Sequence, residues 1–453
     1  MFEKITLREK ILLSVCIILF ITVAFGGRGL DYVDAKTSDP DIYKELQVFS
    51  EVLSIVQSDF VTKPESEKLV SGAIKGMLTT LDPHSTYLGP DGYKELETQT
   101  KGEFGGLGIE ITMRDDAIVI VSPMEGSPAH KAGIKSGDII IKVDGVYTKD
   151  FNLNEVVSKL RGAVGSSVTI SVQRKGVGTL LDYTIVRDIV KIKSIRKRFL
   201  GDGYGYIRIA QFMDNTANDL KQALDALKKS NNNSELKGLI IDVRNNPGGL
   251  LTQAIRVSDI FLKEGVIVYT EGRLQSQKQK FYASDSNNEP SYPIIILING
   301  GSASAAEILA AAFKDHGRAI VLGEQSFGKG SVQTVTPLGN GGAVTLTTAL
   351  YYTKSGNSIQ AKGVSPDVEV LQKDEDSEEE ILKHKSDSGY IRESDLPGAI
   401  NNPNGEGDIL KKINKTPTIS EEKKILDPET TKIEEWLNLD AQFKKALELI
   451  KTY

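Results

Sequence analysis

Two side chains in this sequence have the types and setting to do chemistry together. Ser304 stands in GSASAAE (residues 301–307), and Lys329 in EQSFGKG (residues 324–330). A serine hydroxyl needs a base before it can attack, and a neutral lysine amine can serve. Burial lowers a lysine pKa from about 10.4 toward neutrality and so supplies free amine. Each residue also has a plainer reading. Ser304-x-x-Glu307 is the spacing of a helix capping box, Ser302 is an equally placed cap or nucleophile, and Lys329 by itself is an ordinary solvated loop lysine. The lysine loop also imitates a phosphate cradle, because GEQSFGKGSV (residues 323–332) gives Gly, four residues, then Gly-Lys. Gly330 stands where the magnesium-binding Ser or Thr belongs, and residues 331–337 alternate like a strand instead of opening a helix. A nucleotide site fails on both counts. Histidine is a poorer base than Lys329 here: His316 lies twelve residues from Ser304 on one helix, and nothing in the sequence brings His84 or His130 to the loop.

The surrounding elements could bring Ser304 and Lys329 together. From about 191 to 372, apolar runs at 204–209, 237–243, 292–300 and 318–323 alternate with helical stretches at 216–229 and 251–261. That order predicts an α/β core with a mainly parallel sheet. Ligands of such sheets bind beyond the carboxyl ends of the strands. Three loops leave those ends: RNNPGG (244–249), GSASAAE and EQSFGKG. A helix from Ser304 to His316 runs about 18 Å, and the following strand returns about 20 Å. Lys329 then arrives level with Ser304. The free N–H of Ala305 at the helix start is one donor for an oxyanion, and Gly248 or Gly249 allows a second by close backbone approach.

The remaining sequence bounds the setting. At 453 residues there is room for about three domains. A net charge of −6 without a basic, aromatic-laced stripe excludes a nucleic-acid partner. One cysteine and four scattered histidines provide neither disulfides nor a metal site, so no cofactor is expected. Lys4, Arg8 and Lys10 precede an apolar run at 11–25, the pattern of an export signal, either cleaved or kept as a membrane anchor. This predicts a protein working on the outer side of a bacterial membrane, with residues 1–27 as signal or anchor. Helical spacing at 42–60 and 67–81 gives an N-terminal helical region (38–100), with LDPHSTYL (81–88) as a turn. The tail from 373 is charged and partly loose, and closes on a helix at 433–450 whose Trp436, Leu437, Phe443, Ala446 and Leu447 form a docking face.

Between 101 and 190, GEFGGLGIEI (102–111) precedes strand, short helix, turn and strand, with Ser127-Pro128-Ala129, Ala132-Gly133-Ile134 and Gly137-Asp138 in order. This resembles a PDZ domain. The resemblance makes Gly105, Gly106, Leu107, Gly108 and Ile109 the loop and strand start that receive a peptide's terminal carboxylate.

The pieces LDPHSTYL, GEFGGLGIEI, DVRNNPGGLL, GSASAAEILAAAFKDHGRAIVLGEQSFGKGSVQ and YYTKSGNSIQAKGVSPDVEV together resemble the carboxyl-terminal processing, or tail-specific, proteases. The resemblance runs from about residue 40 to 370, with a weaker echo in the tail at SDLPGAI (394–400). It implies endoproteolysis of proteins chosen by apolar C-termini, with no metal or nucleotide. It makes Ser304 the nucleophile, Lys329 the base, and Gln333 the partner that orients the amine; Gly248 or Gly249 with Ala305 would form the oxyanion hole. Asp315 matches an acidic position sometimes counted with this set, but helix length puts it at the far end from Ser304, which favours a structural role. Arg161 matches a PDZ arginine that would link a docked tail to activation. A separate adaptor protein and a homo-oligomer are partners that the family allows.

Overall fold

The computed structural model describes residues 40–114, 117–149, 151–284, 289–371, 391–405 and 426–452. The chain divides into two compact units, residues 1–73 and 74–453. In the first, helix Pro40–Asp59 and the start of helix Ser66–Thr79 are described. Among the described residues no helix is long and apolar enough to cross a membrane. The basic-then-apolar segment read as an export signal lies outside the described residues.

Within the second unit, residues 195–369 are built on a six-stranded sheet. In spatial order its strands are Ile195–Gly201, Tyr204–Ile209, Gly238–Asp242, Ile294–Ile298, Ile320–Gly323 and Val368–Glu369. All neighbours are parallel except the first pair. Side chains alternate along these strands, so each strand feeds two cores. Ile207, Ile209, Leu239, Ile241, Ile294, Ile296, Ile298 and Val321 pack under the helices Thr216–Ser230, Leu251–Asp259 and Ala305–Asp315. Tyr206, Ile240, Ile295, Leu297 and Leu322 face the other way, against Trp436, Phe443, Ala446, Leu447 and Ile450. Burial on both faces explains why these strands read as unbroken apolar runs.

Three expectations need correction. The core is mixed rather than mainly parallel: a second, wholly antiparallel sheet joins Thr86–Leu88, Ala343–Tyr352, Val266–Gly272 and Gln279–Tyr282, with Ser331–Pro337 paired to Ala343–Tyr352. Its longest pairing, 331–337 with 343–352, is a hairpin whose strands are half exposed and need no crossover helix. LDPHSTYL is therefore more than a turn, since residues 86–88 form one strand of this sheet. The closing helix is two helices, Ile433–Leu439 and Ala441–Ile450, because Asp440 leaves helical geometry to accept the Phe443 N–H at 2.9 Å as the second helix's cap. Among the described residues of the tail, Glu393, Asn402, Asp440 and Gln442 are buried.

Residues 101–190 form a separate β-structure. The strands Ile109–Arg114, Ala117–Pro123, Ile139–Val143, Ser167–Gln173 and Leu181–Val186 follow one another across an antiparallel sheet. Leu107, Ile118, Ile120, Val156, Leu160 and Ile170 lie in its core.

Candidate active site

The strands Gly238–Asp242, Ile294–Ile298 and Ile320–Gly323 are adjacent and parallel, so their three following loops meet at one edge. Side-chain amides brace the loops. Asn299 accepts from the Asn245 N–H at 2.9 Å and donates to Asn245 Oδ1 at 2.7 Å. Asn246 donates to the Ile209 carbonyl and accepts from the Gly248 N–H, both at 2.8 Å. Ser302, the other candidate nucleophile, is fully buried; its hydroxyl donates to the Val243 carbonyl at 2.8 Å and accepts from the Asn299 N–H at 3.0 Å. It ties two strand ends together and has no room for substrate.

Ser304 is in another condition. It has φ 53° and ψ −112°, a left-handed backbone costing a non-glycine residue about 1–3 kcal/mol. Its hydroxyl makes no capping bond. Only the Glu307 half of the capping box is made, with the Ser304 N–H donating to Glu307 Oε2 at 2.8 Å. Gly248 lies so close that a β-carbon there would stand 2.8 Å from Ser304 Cβ and 3.1 Å from the Ala305 nitrogen. The Gly248 N–H is already taken by Asn246. Gly249, at φ 130°, is held by bonds through its neighbours, Phe212 N–H to Gly248 carbonyl and Leu250 N–H to Phe212 carbonyl, both 2.8 Å. Among the described residues the N–H groups of Gly249 and Ala305 have no protein acceptor. Of the two glycines left open by the sequence, Gly249 is therefore the one with a donor to spare.

Glu307 joins the serine to the lysine loop. Its fully buried carboxylate accepts from Ser326 Oγ at 2.5 Å, the Gly328 N–H at 2.7 Å and the Lys329 N–H at 2.9 Å, besides the Ser304 N–H. The backbone N–H groups of Ser304 and Lys329 thus share one oxygen, while among the described residues no hydrogen bond joins the Ser304 hydroxyl to the Lys329 amine. Burial pushes this carboxyl up to about 7, against the hydrogen bonds that favour its charge. Burial also lowers the Lys329 amine below the ordinary lysine range, and the charges of Glu393, Asp82 and Glu307 pull it partway back. Among the described residues that amine has no hydrogen-bond or ion-pair partner. Gln333 follows a β-bulge at Val332/Gln333 and donates to Ser331 Oγ at 3.0 Å and Thr347 Oγ1 at 3.2 Å. It makes no bond to Lys329 in this structure, so the expected amine contact is absent. Asp315 sits in the last turn of the serine's helix and accepts the Ser355 N–H at 2.8 Å.

Arg161, at the end of helix Leu153–Leu160, pairs with Glu95 of helix Pro90–Lys101 and lies 4.6 Å over the Phe104 ring. Gly105 and Gly106 are strand residues paired with 188–189, and a β-carbon at Gly105 would meet the Gly162 carbonyl at 2.2 Å. Among the described residues the N–H groups of Leu107 and Gly108 have no acceptor, and Ile109 opens the strand at the sheet's edge.

Sequence reasoning missed several contributors. Glu307 was visible only as a cap. His84, expected elsewhere, hydrogen-bonds Glu393 at 2.8 Å beside the lysine loop. Arg244 is fully buried between Asp242 (2.6 Å) and Asp440 (2.8 Å), so the C-terminal helices anchor the start of the RNNPGG loop. No local pattern announces pairs separated by 309 or 196 residues.

Acyl transfer is the chemistry that uses each of these parts, and a serine hydrolase is the class that fold and site define. Residues 203–370 match peptidase family S41, residues 119–174 a PDZ domain, and residues 29–91 the N-terminal domain of the activating protease CtpB. The chain is 47% identical over 363 residues to the carboxy-terminal-processing protease of Bartonella bacilliformis, covering 80% of this chain and 82% of that one. It is 36% identical to carboxy-terminal processing protease CtpA of Bacillus subtilis, over 80% and 76%. A solved photosystem II D1 C-terminal processing protease is 31% identical, over 71% and 86%, with a TM-score of 0.42. The chain belongs to the carboxy-terminal processing proteases of peptidase family S41, which are serine peptidases acting on proteins.

Proposed function

We propose that this protein is an exported endopeptidase that selects substrates by apolar C-terminal tails and cuts them with a Ser304–Lys329 dyad. The observation that carries the reading is the shared Glu307 oxygen, which sets a strained, uncapped serine beside a largely buried lysine whose amine has no partner. The neutral Lys329 amine takes the Ser304 hydroxyl proton as the oxygen attacks the scissile carbonyl. The N–H groups of Ala305 and Gly249 receive the oxyanion. The tetrahedral adduct collapses as Lys329 returns the proton to the leaving amine. Water, deprotonated by the same amine, then releases the acyl group. Gln333 turns toward the amine in the working state, its carbonyl oxygen being unengaged here.

The open N–H groups of Leu107 and Gly108 and the edge strand starting at Ile109 support capture of a tail carboxylate, the peptide adding as a strand. The Arg161–Glu95 pair joins that domain to the segment leading back to the protease half, which supports Arg161 as the link from tail docking to activation. The basic-then-apolar N-terminus supports export, with the segment cleaved or kept as an anchor. Partners, on family resemblance, are proteins with apolar C-termini, an adaptor and further copies of the chain.

The test uses the chain from about residue 30 as native, Ser304→Ala and Lys329→Ala proteins, without nucleotide or metal. Each is incubated with a loosely folded protein ending in apolar residues, or with the same protein ending in Asp-Asp. Cleavage by the native form alone, faster on the apolar tail, is expected. Cleavage surviving either substitution refutes the dyad. Tight tail binding without cleavage by any form favours a silent tether.

A further inference from the structure

The segment at 391–405 lies beyond residues 203–370, which carry the peptidase match, yet it reaches the lysine loop. The Glu393 N–H donates to the Phe327 carbonyl at 3.1 Å, two residues before Lys329. Glu393 Oε1 accepts from Gln360 Nε2 at 3.0 Å, and Gln360 Oε1 accepts from the Gly330 N–H at 2.9 Å, one residue after Lys329. Glu393 Oε2 bonds His84 Nε2 at 2.8 Å. Asn402, also buried, donates to the carbonyls of Ser358 and Gln360 at 3.2 and 2.8 Å and fixes the segment in place. A carboxylate is thus held on both sides of Lys329 by backbone and amide contacts.

That is an expensive thing to bury. Glu393 is 1% exposed, and a buried carboxylate persists only where partners compensate it. His84 and Gln360 are such partners, and the unpaired Lys329 amine is the cation that its charge reaches. Among the described residues the charged groups acting on Lys329 come from three elements: Glu393 from this segment, Asp82 from the turn before Thr86–Leu88, and Glu307 from the serine's helix. Asp82 is itself tied down, by Ser85 Oγ at 2.6 Å and Thr347 Oγ1 at 3.0 Å, the latter also holding Gln333.

We propose that Glu393, seated by His84 and Gln360, is a positioning residue for proteolysis that fixes the Lys329 loop and sets the charge balance of the amine. The segment at 391–405 is then a wall of the active site and not a tail. The inference rests on the Ser304–Lys329 reading. Its sign follows from the chemistry: a carboxylate beside the amine favours the protonated form, so its removal frees the amine at lower pH.

The experiment measures kcat/KM against pH for the native chain, Glu393→Gln, Glu393→Asp, Asp395→Asn and Lys329→Ala. Gln keeps an acceptor for Gln360 but loses the charge; Asp keeps the charge; Asp395 is exposed on the same segment. Melting midpoints are read first, and Glu393→Met replaces the Gln variant if that unfolds at the assay temperature. The acidic limb is expected to move down by about one pH unit in Glu393→Gln, and to stay in place in Glu393→Asp and Asp395→Asn. A limb that stays put or rises in the charge-free variant, with Lys329→Ala inactive, overturns the role of Glu393 and leaves the dyad standing. Native activity in Lys329→Ala sinks the dyad reading itself.

Discussion

Replacing Glu307 by Gln separates the cost of burying a charge from the value of the contacts it holds. The Glu307 side chain accepts four hydrogen bonds: Ser326 Oγ and the Gly328 N–H on one oxygen, and the Ser304 and Lys329 N–H groups on the other. An amide presents NH2 at one of these sites, so two donors lose their acceptor in either orientation, at about 1–3 kcal/mol each. Against that, a carboxyl raised from 4.5 to about 7 costs about 3.4 kcal/mol once ionised, at about 1.36 kcal/mol per unit. At pH 8 the two effects nearly cancel, and the variant is expected to unfold in urea within about 3 kcal/mol of native. The pH dependence differs. The folded-state value lies above the unfolded one, so stability from the protonated form is complete below 4.5 and is lost as pH rises through about 7. Native stability should therefore fall between pH 5 and 8 by roughly 2.5 kcal/mol more than that of the variant. Activity should drop about 100-fold or more at pH 8, since the lysine loop is no longer held to the serine, and a misplacement near 1 Å has that effect. Parallel stability curves would show that the carboxyl does not titrate in this site. Activity within tenfold of native, with the stability difference seen, would show that the clamp does not position the dyad.

Other substitutions probe the same edge of the sheet. In Gly248→Ala the new β-carbon stands 2.8 Å from Ser304 Cβ, and kcat should fall about 100- to 1,000-fold, the range for a spoiled oxyanion site; native-like turnover would mean that substrate does not use this space. Asp440→Ala leaves the buried Arg244 short of one carboxylate, and urea unfolding should show a loss of about 3–5 kcal/mol. Asp315→Ala removes the acceptor of the Ser355 N–H at the far end of the helix, so stability should fall by about 1 kcal/mol with kcat/KM within threefold; a large loss of activity at unchanged stability would return Asp315 to the catalytic set.

The sequence by itself determined the parts that depend on short-range order. Alternation of apolar runs and helices located the parallel strands, because a strand buried on both faces must be apolar along its length. The loops at the carboxyl ends followed from that order, and with them Ser304, Lys329, Gly248 and Gly249. The spacing of Ser304 and Glu307 was legible as a cap, though nothing local says that the cap's carboxylate also holds Ser326, Gly328 and Lys329. Helix and strand lengths brought serine and lysine to one level, but the left-handed backbone at Ser304 and the capture of the Gly248 N–H by Asn246 are properties of the assembled loops. Only the tertiary structure decided which distant residues complete the site. His84 meets Glu393, and Arg244 meets Asp440, because chain segments outside the α/β core fold back onto it. Buried charges need partners of opposite sign, and the sequence marks neither which charges will be buried nor which partner will be near. The same physics broke the closing helix: Asp440 stands where helical periodicity would continue, but its carboxylate is committed to Arg244 and to the Phe443 N–H.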